Sequence, residues 1–109
     1  VQDDRVIVSL DREMVRPSSV TSVGSREFEI LHRSIRQLFP DVIVAPGLTA
    51  VSTDARHYEA ITENTFRFIP LRLTAEDLFR IHGIDERISI DNYLDTVRFF
   101  VQYVRNAAS

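Results

Sequence analysis

The sequence predicts an α/β fold: the C-terminal portion of a mostly parallel sheet domain with flanking helices. Three observations carry this. Short β-branched or alternating apolar runs occur at Val6-Ile7-Val8, Val42-Ile43-Val44 and Thr65 to Leu71. Helical periodicity separates and follows them, at Phe28, Leu31, Ile35 and Leu38, and again at Leu94, Val97, Val101 and Val104 with Phe100 beside them. Strands alternating with helices are the pattern of a sheet covered by helices.

In chain order, Arg5 to Leu10 is the first expected strand. Pro17 to Ser25 is Ser-rich and is expected to be an extended linker. Ser25 is placed to cap a helix whose first turn carries Glu27, which suits the positive end of the helix dipole. Pro40 stops that helix, since proline has no N–H and disfavours helix in the residue before it. Val42-Ile43-Val44 follows at once, and a continuous apolar run after a helix suggests a strand buried on both faces. Pro46-Gly47 ends it. A charged loop, Ser52 to Tyr58, leads to the alternating strand Thr65 to Leu71. Thr74-Ala75-Glu76-Asp77 is expected to be a capped short turn. A second charged loop, Arg80 to Arg87, precedes the last helix, capped by Ser89 or Asp91. Asn106 to Ser109 are expected to fray. Two helices barely cover such a sheet, so the chain either dimerises or ends a larger domain.

Composition narrows the chemistry. The chain has 109 residues and is 44% apolar, enough for one small domain or part of a larger one. No apolar run approaches the ~18 residues needed to span a membrane. No signal peptide is visible, and a start at Val1 rather than Met suits a cleavage product or a piece of a longer protein. The net charge is −3 and the 13 basic residues, all Arg, are scattered among 16 acids. This gives no general attraction to nucleic acid or anionic lipid, so neither is expected as a partner. Cysteine and lysine are absent, which excludes disulfides, thiolate metal sites and Schiff-base catalysis and leaves the compartment undecided. With three glycines in all, there is no glycine-rich phosphate loop.

The two charged loops are the candidate chemistry. Five of the eight residues from Arg80 to Arg87 are ionisable, around a His82-Gly83 pair. A neutral imidazole is a common zinc ligand, with a nearby carboxylate orienting its second nitrogen. The alternative is a loop histidine bonded to a backbone carbonyl. One histidine does not make a zinc site, which needs three or four ligands. In the upstream loop, Arg56 could hold a substrate carboxylate through two parallel hydrogen bonds; alternatively it pairs with Asp54 and stiffens a turn. Ser52 and Thr53 lack the glycine-flanked elbow of a hydrolytic nucleophile. The Tyr93, Phe99, Phe100 and Tyr103 cluster suits helix packing better than base stacking.

Taken together, Thr53-Asp54-Ala55-Arg56-His57-Tyr58, Phe66-Arg67-Phe68 before Pro70, and Arg80-Ile81-His82-Gly83-Ile84-Asp85-Glu86-Arg87-Ile88-Ser89 resemble the C-terminal part of the di-zinc aminoacylase and carboxypeptidase family. The branch is carboxypeptidase S with the N-fatty-acyl-amino-acid hydrolases. Arg16-Pro17-Ser18-Ser19-Val20 and Gln37-Leu38-Phe39-Pro40 match in order and spacing, so the resemblance spans nearly the whole chain. It implies an α/β catalytic domain with an inserted lid domain that often forms a homodimer contact. Residues 1–21 would be the last strand of the lid and the return linker, and residues 22–109 the end of the catalytic domain. It implies zinc as cofactor, two ions per active site, with His82 as one ligand and Glu86 behind it or anchoring the loop. Ser52, Asp54 and Arg56 would line or shape the substrate pocket. The implied activity is cleavage of amide bonds in N-acyl amino acids or small peptides. The other family ligands lie upstream and are not among these residues, so the 109 residues alone are expected to be inactive. One departure is Ala50-Val51-Ser52, where the family carries glycine; side chains there narrow the pocket or alter the loop's backbone. The rival reading is a non-catalytic α/β module that binds a partner through its uncovered sheet.

Overall fold

The computed structural model describes residue 3, residues 5–7, residue 9, and residues 17–51 and 53–109. Its elements are helix α1 (Arg26–Leu38), a short 3₁₀ turn (Asp54–His57), helix α2 (Ala75–Arg80) and helix α3 (Ile90–Ala107). The described residues contain no β-strand. The expected α/β sheet is therefore corrected to a helical arrangement with irregular connecting segments. Of the expected first strand, Val8 and Leu10 lie outside the described residues, and Val6 N–H donates to Asp3 O at 2.9 Å in a turn.

The physical reason is pairing. An apolar run becomes a strand only when a neighbour accepts its backbone hydrogen bonds, and the two central runs are not paired with each other. Val42 N–H turns back to Phe39 O at 3.3 Å, and Ile43 is 93% exposed. The segment from Thr65 to Arg72 is held by side chains instead. Thr65 exchanges hydrogen bonds with the Thr21 hydroxyl, accepting at 2.9 Å through its carbonyl and donating at 3.2 Å through its N–H. Arg72 makes a reciprocal pair with the Asn92 amide at 3.0 Å in each direction. Its guanidinium also grips Asp41 through two bonds of 2.9 and 2.8 Å and lies over the Phe39 ring.

Helix α1 forms as its spacing predicts. The Ser25 hydroxyl accepts from Phe28 N–H at 3.2 Å, and the helix stops at Leu38 before Pro40. Leu31, Ile35 and Phe39 are buried, with Phe28 and Leu38 half-buried. Ser89, not Asp91, caps α3, accepting from Asn92 N–H at 3.2 Å. Thr74 to Asp77 opens α2 as a full capping box.

Helix α3 packs with a different face from the one its periodicity suggests. Leu94, Val97, Phe100, Val101 and Val104 are exposed. The face against α1 carries Phe99, 2% exposed, with Tyr103 and the buried Asn106. Phe99 sits among Phe68, Phe100 and Tyr103 at ring separations of 5.1, 5.5 and 6.0 Å. Asn106, expected to fray, is the polar end of this contact. Its amide donates to Ser34 Oγ and Gln37 Oε1, both at 2.8 Å, and accepts from Gln102 at 3.1 Å. Ser34 is fully buried and donates to Ile30 O at 2.7 Å. Replacing Asn106 by alanine strips partners from Ser34 and Gln37 and is expected to cost about 1–3 kcal/mol, read from the shift in urea midpoint. An unchanged midpoint would show that water replaces these bonds at no cost.

The Cα radius of gyration is 18.3 Å, against about 13 Å for a compact chain of roughly 100 residues. The helical core is thus only one part of an open structure.

Candidate active-site loops

The segments from Pro17 to Thr21, Val42 to Val51 and Thr65 to Arg72 enclose an open groove of about 1180 Å³ beside the α1 core. Its floor is apolar, with Phe39, Val44 and Phe66 among the lining residues. Thr53 and Arg56 are among its lining residues, and His82 and Glu86 do not line it.

The upstream loop is built on the 3₁₀ turn. Thr53 caps it, its hydroxyl accepting from Ala55 N–H at 3.3 Å. Ser52 lies outside the described residues. Asp54 opens the turn and is exposed. Arg56 donates to His57 Nε2 at 3.3 Å, so its near neighbour is the imidazole rather than Asp54. Arg67 is a residue that sequence reasoning did not single out as a functional contact. Its guanidinium donates to Thr53 Oγ1 and to Ser18 Oγ, each at 3.1 Å. It thereby ties the cap of this loop to the Ser-rich linker. A lone arginine in an alternating run gave no signal of this.

The downstream loop is the more structured of the two. The Asp77 carboxylate accepts from Thr74 N–H at 2.9 Å and Thr74 hydroxyl at 2.8 Å, and from Arg80 Nη1 at 3.0 Å. Arg80 also reaches Glu76 at 3.5 Å. The Thr74 backbone bond, then the Thr74 hydroxyl, holds the Asp77 carboxyl below the usual carboxylate range, with Arg80 assisting. A carboxylate with a lowered value stabilises the fold above its unfolded titration near pH 4 and loses that contribution as pH falls through the lowered value. The loop's anchor on α2 is therefore intact at neutral pH.

Two tight turns follow. Gly83 N–H donates to Arg80 O at 2.8 Å, and Glu86 N–H donates to Gly83 O at 3.3 Å. Ile81 has φ −59° and ψ 124°, and His82 has φ 64°. This is the signature of a type II turn, whose central residues lie at about −60°, +120° and then at positive φ. His82 is the only non-glycine residue at positive φ among the described residues, a conformation that costs roughly 1–2 kcal/mol for an L side chain. Its side chain is exposed. Glu86 closes the second turn through its backbone. Among the described residues no three His, Cys, Asp or Glu side chains converge as a metal cage. No described helix is long and apolar enough to cross a membrane.

Comparison with known proteins finds relatives over nearly the whole chain. The chain is 45% identical over 106 residues to a probable carboxypeptidase S-like protein of Dictyostelium discoideum, covering 97% of this chain and 20% of the relative. It is 38% identical over 112 residues to an N-fatty-acyl-amino acid synthase/hydrolase of Mus musculus, covering 98% of this chain and 22% of the relative. A Danio rerio synthase/hydrolase of the same name is 36% identical over 112 residues, covering 98% and 21%. No family model matches the chain, and no solved structure matches it. The chain is thus part of a peptidase and amide-hydrolase family. Within that class it belongs to the family of the carboxypeptidase S-like proteins and the N-fatty-acyl-amino acid synthase/hydrolases. It spans about a fifth of the length of the curated relatives it matches.

Proposed function

We propose that the chain is the C-terminal part of a zinc-dependent hydrolase that cleaves amide bonds of N-acyl amino acids or small peptides. The observation that carries this is His82: a histidine held at the tip of a tight turn, in a chain whose relatives are named as carboxypeptidases and fatty-acyl-amino acid hydrolases.

The residues fit one position of a metal centre. The His82 imidazole is exposed, and a neutral imidazole is a common zinc ligand. A single donor cannot hold zinc, which takes three or four ligands, so the remaining ligands belong to the rest of the protein and the 109 residues alone are inactive. When bound, zinc supplies Lewis acidity that activates water and polarises the scissile carbonyl. This chain's own contribution is to present His82 from a fixed turn, with the Glu86 backbone closing the loop behind it. Arg56, one of the groove-lining residues, binds the substrate carboxylate and with Asp54 shapes that loop, and Ser52 is a further substrate-binding residue. Arg67 holds the loop's cap in place through Thr53.

The partner inside the same protein is the rest of the catalytic domain. The exposed apolar face of α3 and the exposed Ile43, Leu48 and Ile69 give it a surface to cover. The lid boundary at residue 21 and a homodimer contact through the lid remain part of this reading. A non-catalytic binding module would also use such a surface; the relatives' names favour the hydrolase.

The test is metal removal from the complete protein. Chelation is expected to abolish release of free amino acid from an N-acyl amino acid, and added zinc to restore it. Full activity after metal is stripped, verified by metal analysis, would sink the proposal.

A further inference from the structure

The glycine of the downstream loop stands one position away from where the turn would use it best. A type II turn asks for glycine or asparagine at its third residue, because only there must φ be positive. That residue is His82, at φ 64°, while the glycine follows at 83. Gly83 has its own reason. A Cβ there would lie 3.1 Å from Arg80 O, the oxygen that closes the turn. The turn is also clamped from below. Arg80, whose carbonyl starts it, is held by Asp77 and Glu76 on α2, and Asp77 is in turn fixed by the Thr74 cap.

We infer that this clamp is a positioning device. The turn holds His82 at positive φ with its side chain exposed, and Asp77 and Gly83 are positioning residues that act through Arg80. The inference rests on the reading of His82 as a metal ligand. A chain shaped only for a connection would carry glycine at 82 and spare itself the strain; strain kept at a reactive side chain is the mark of pre-organisation.

The experiment uses the complete protein and four variants, reading melting temperature, zinc affinity by titration, and kcat and KM separately. His82→Gly is expected to lose zinc from one position and, compared with the parent after both are stripped of metal, to melt at or above the parent temperature. Asp77→Ala and Gly83→Ala are expected to weaken zinc binding about ten- to a hundredfold, the range for residues that orient a ligand, with the loss in kcat exceeding any change in KM. Asp77→Asn, which keeps an acceptor for Thr74 but loses the charge facing Arg80, guards against simple unfolding and is expected to fall between Asp77→Ala and the parent. Parent-like zinc affinity in folded Asp77→Ala and Gly83→Ala, with zinc lost in His82→Gly, would overturn the positioning role and leave the ligand assignment standing. Parent-like zinc in His82→Gly would instead remove the assignment itself.

Discussion

Replacing His82 by alanine in the complete protein is expected to remove zinc from one site and to lower turnover by orders of magnitude. The size follows from comparison with weaker perturbations. Losing a residue that merely orients a metal ligand costs about 10–100-fold; losing the ligand itself removes one of the three or four bonds that hold the ion. The fold should tolerate the change, because His82 is exposed and sits at the tip of a turn rather than in the α1–α3 core. Its backbone strain persists, since alanine at positive φ is no better placed than histidine. Metal analysis separates the outcomes: an unchanged zinc content with unchanged turnover would reduce His82 to a loop residue.

Phe99→Ala is expected to be the most destabilising single change in the chain, at about 3–5 kcal/mol. Phe99 is 2% exposed and is the aromatic hub between α1, α3 and the segment carrying Phe68. Tyr103 packs against the same cluster of Leu31, Ile35 and Phe39 but is only half-buried, so Phe99 is the α3 side chain set most deeply in it. Against a typical stability of about 5–15 kcal/mol, such a loss should appear as a large drop in urea midpoint of the complete protein. By contrast, Leu94 and Val97 are exposed here, and their truncation tests the proposed contact with the rest of the protein rather than this core. A shift below about 1 kcal/mol for Phe99→Ala would show that the α1–α3 contact is not the organising core.

The helices were legible because their signals are local. The Ser25 and Ser89 caps, the Thr74–Asp77 box and the stop before Pro40 each depend on a few neighbouring residues. The family was legible for a different reason: the residue order of the chain resembles it, and the relatives bear out that family over nearly the whole chain. The strands were misjudged. Val42-Ile43-Val44 has strand chemistry, yet its backbone finds no ladder among the described residues, and Ile43 is left exposed. Side-chain identity states a preference for a pleated, buried surface; only a neighbouring strand can realise it. The same limit explains α3. Its apolar periodicity marked the face of Leu94, Val97, Val101 and Val104, but α1 selected the face of Phe99 and Asn106. Both faces can pack, and sequence spacing does not say which neighbour is present.

The sequence by itself therefore determined the start and stop of α1, the presence of α3, the family and the identity of His82 as the residue to test. Tertiary structure alone decided that no sheet forms among the described residues, that Asn106 is buried, and that Arg67 anchors the upstream loop. The division follows from range. Caps, periodicity and tight turns are set within a few residues along the chain, whereas strand pairing and the choice of a helix's buried face depend on which distant groups are brought within hydrogen-bonding and van der Waals reach.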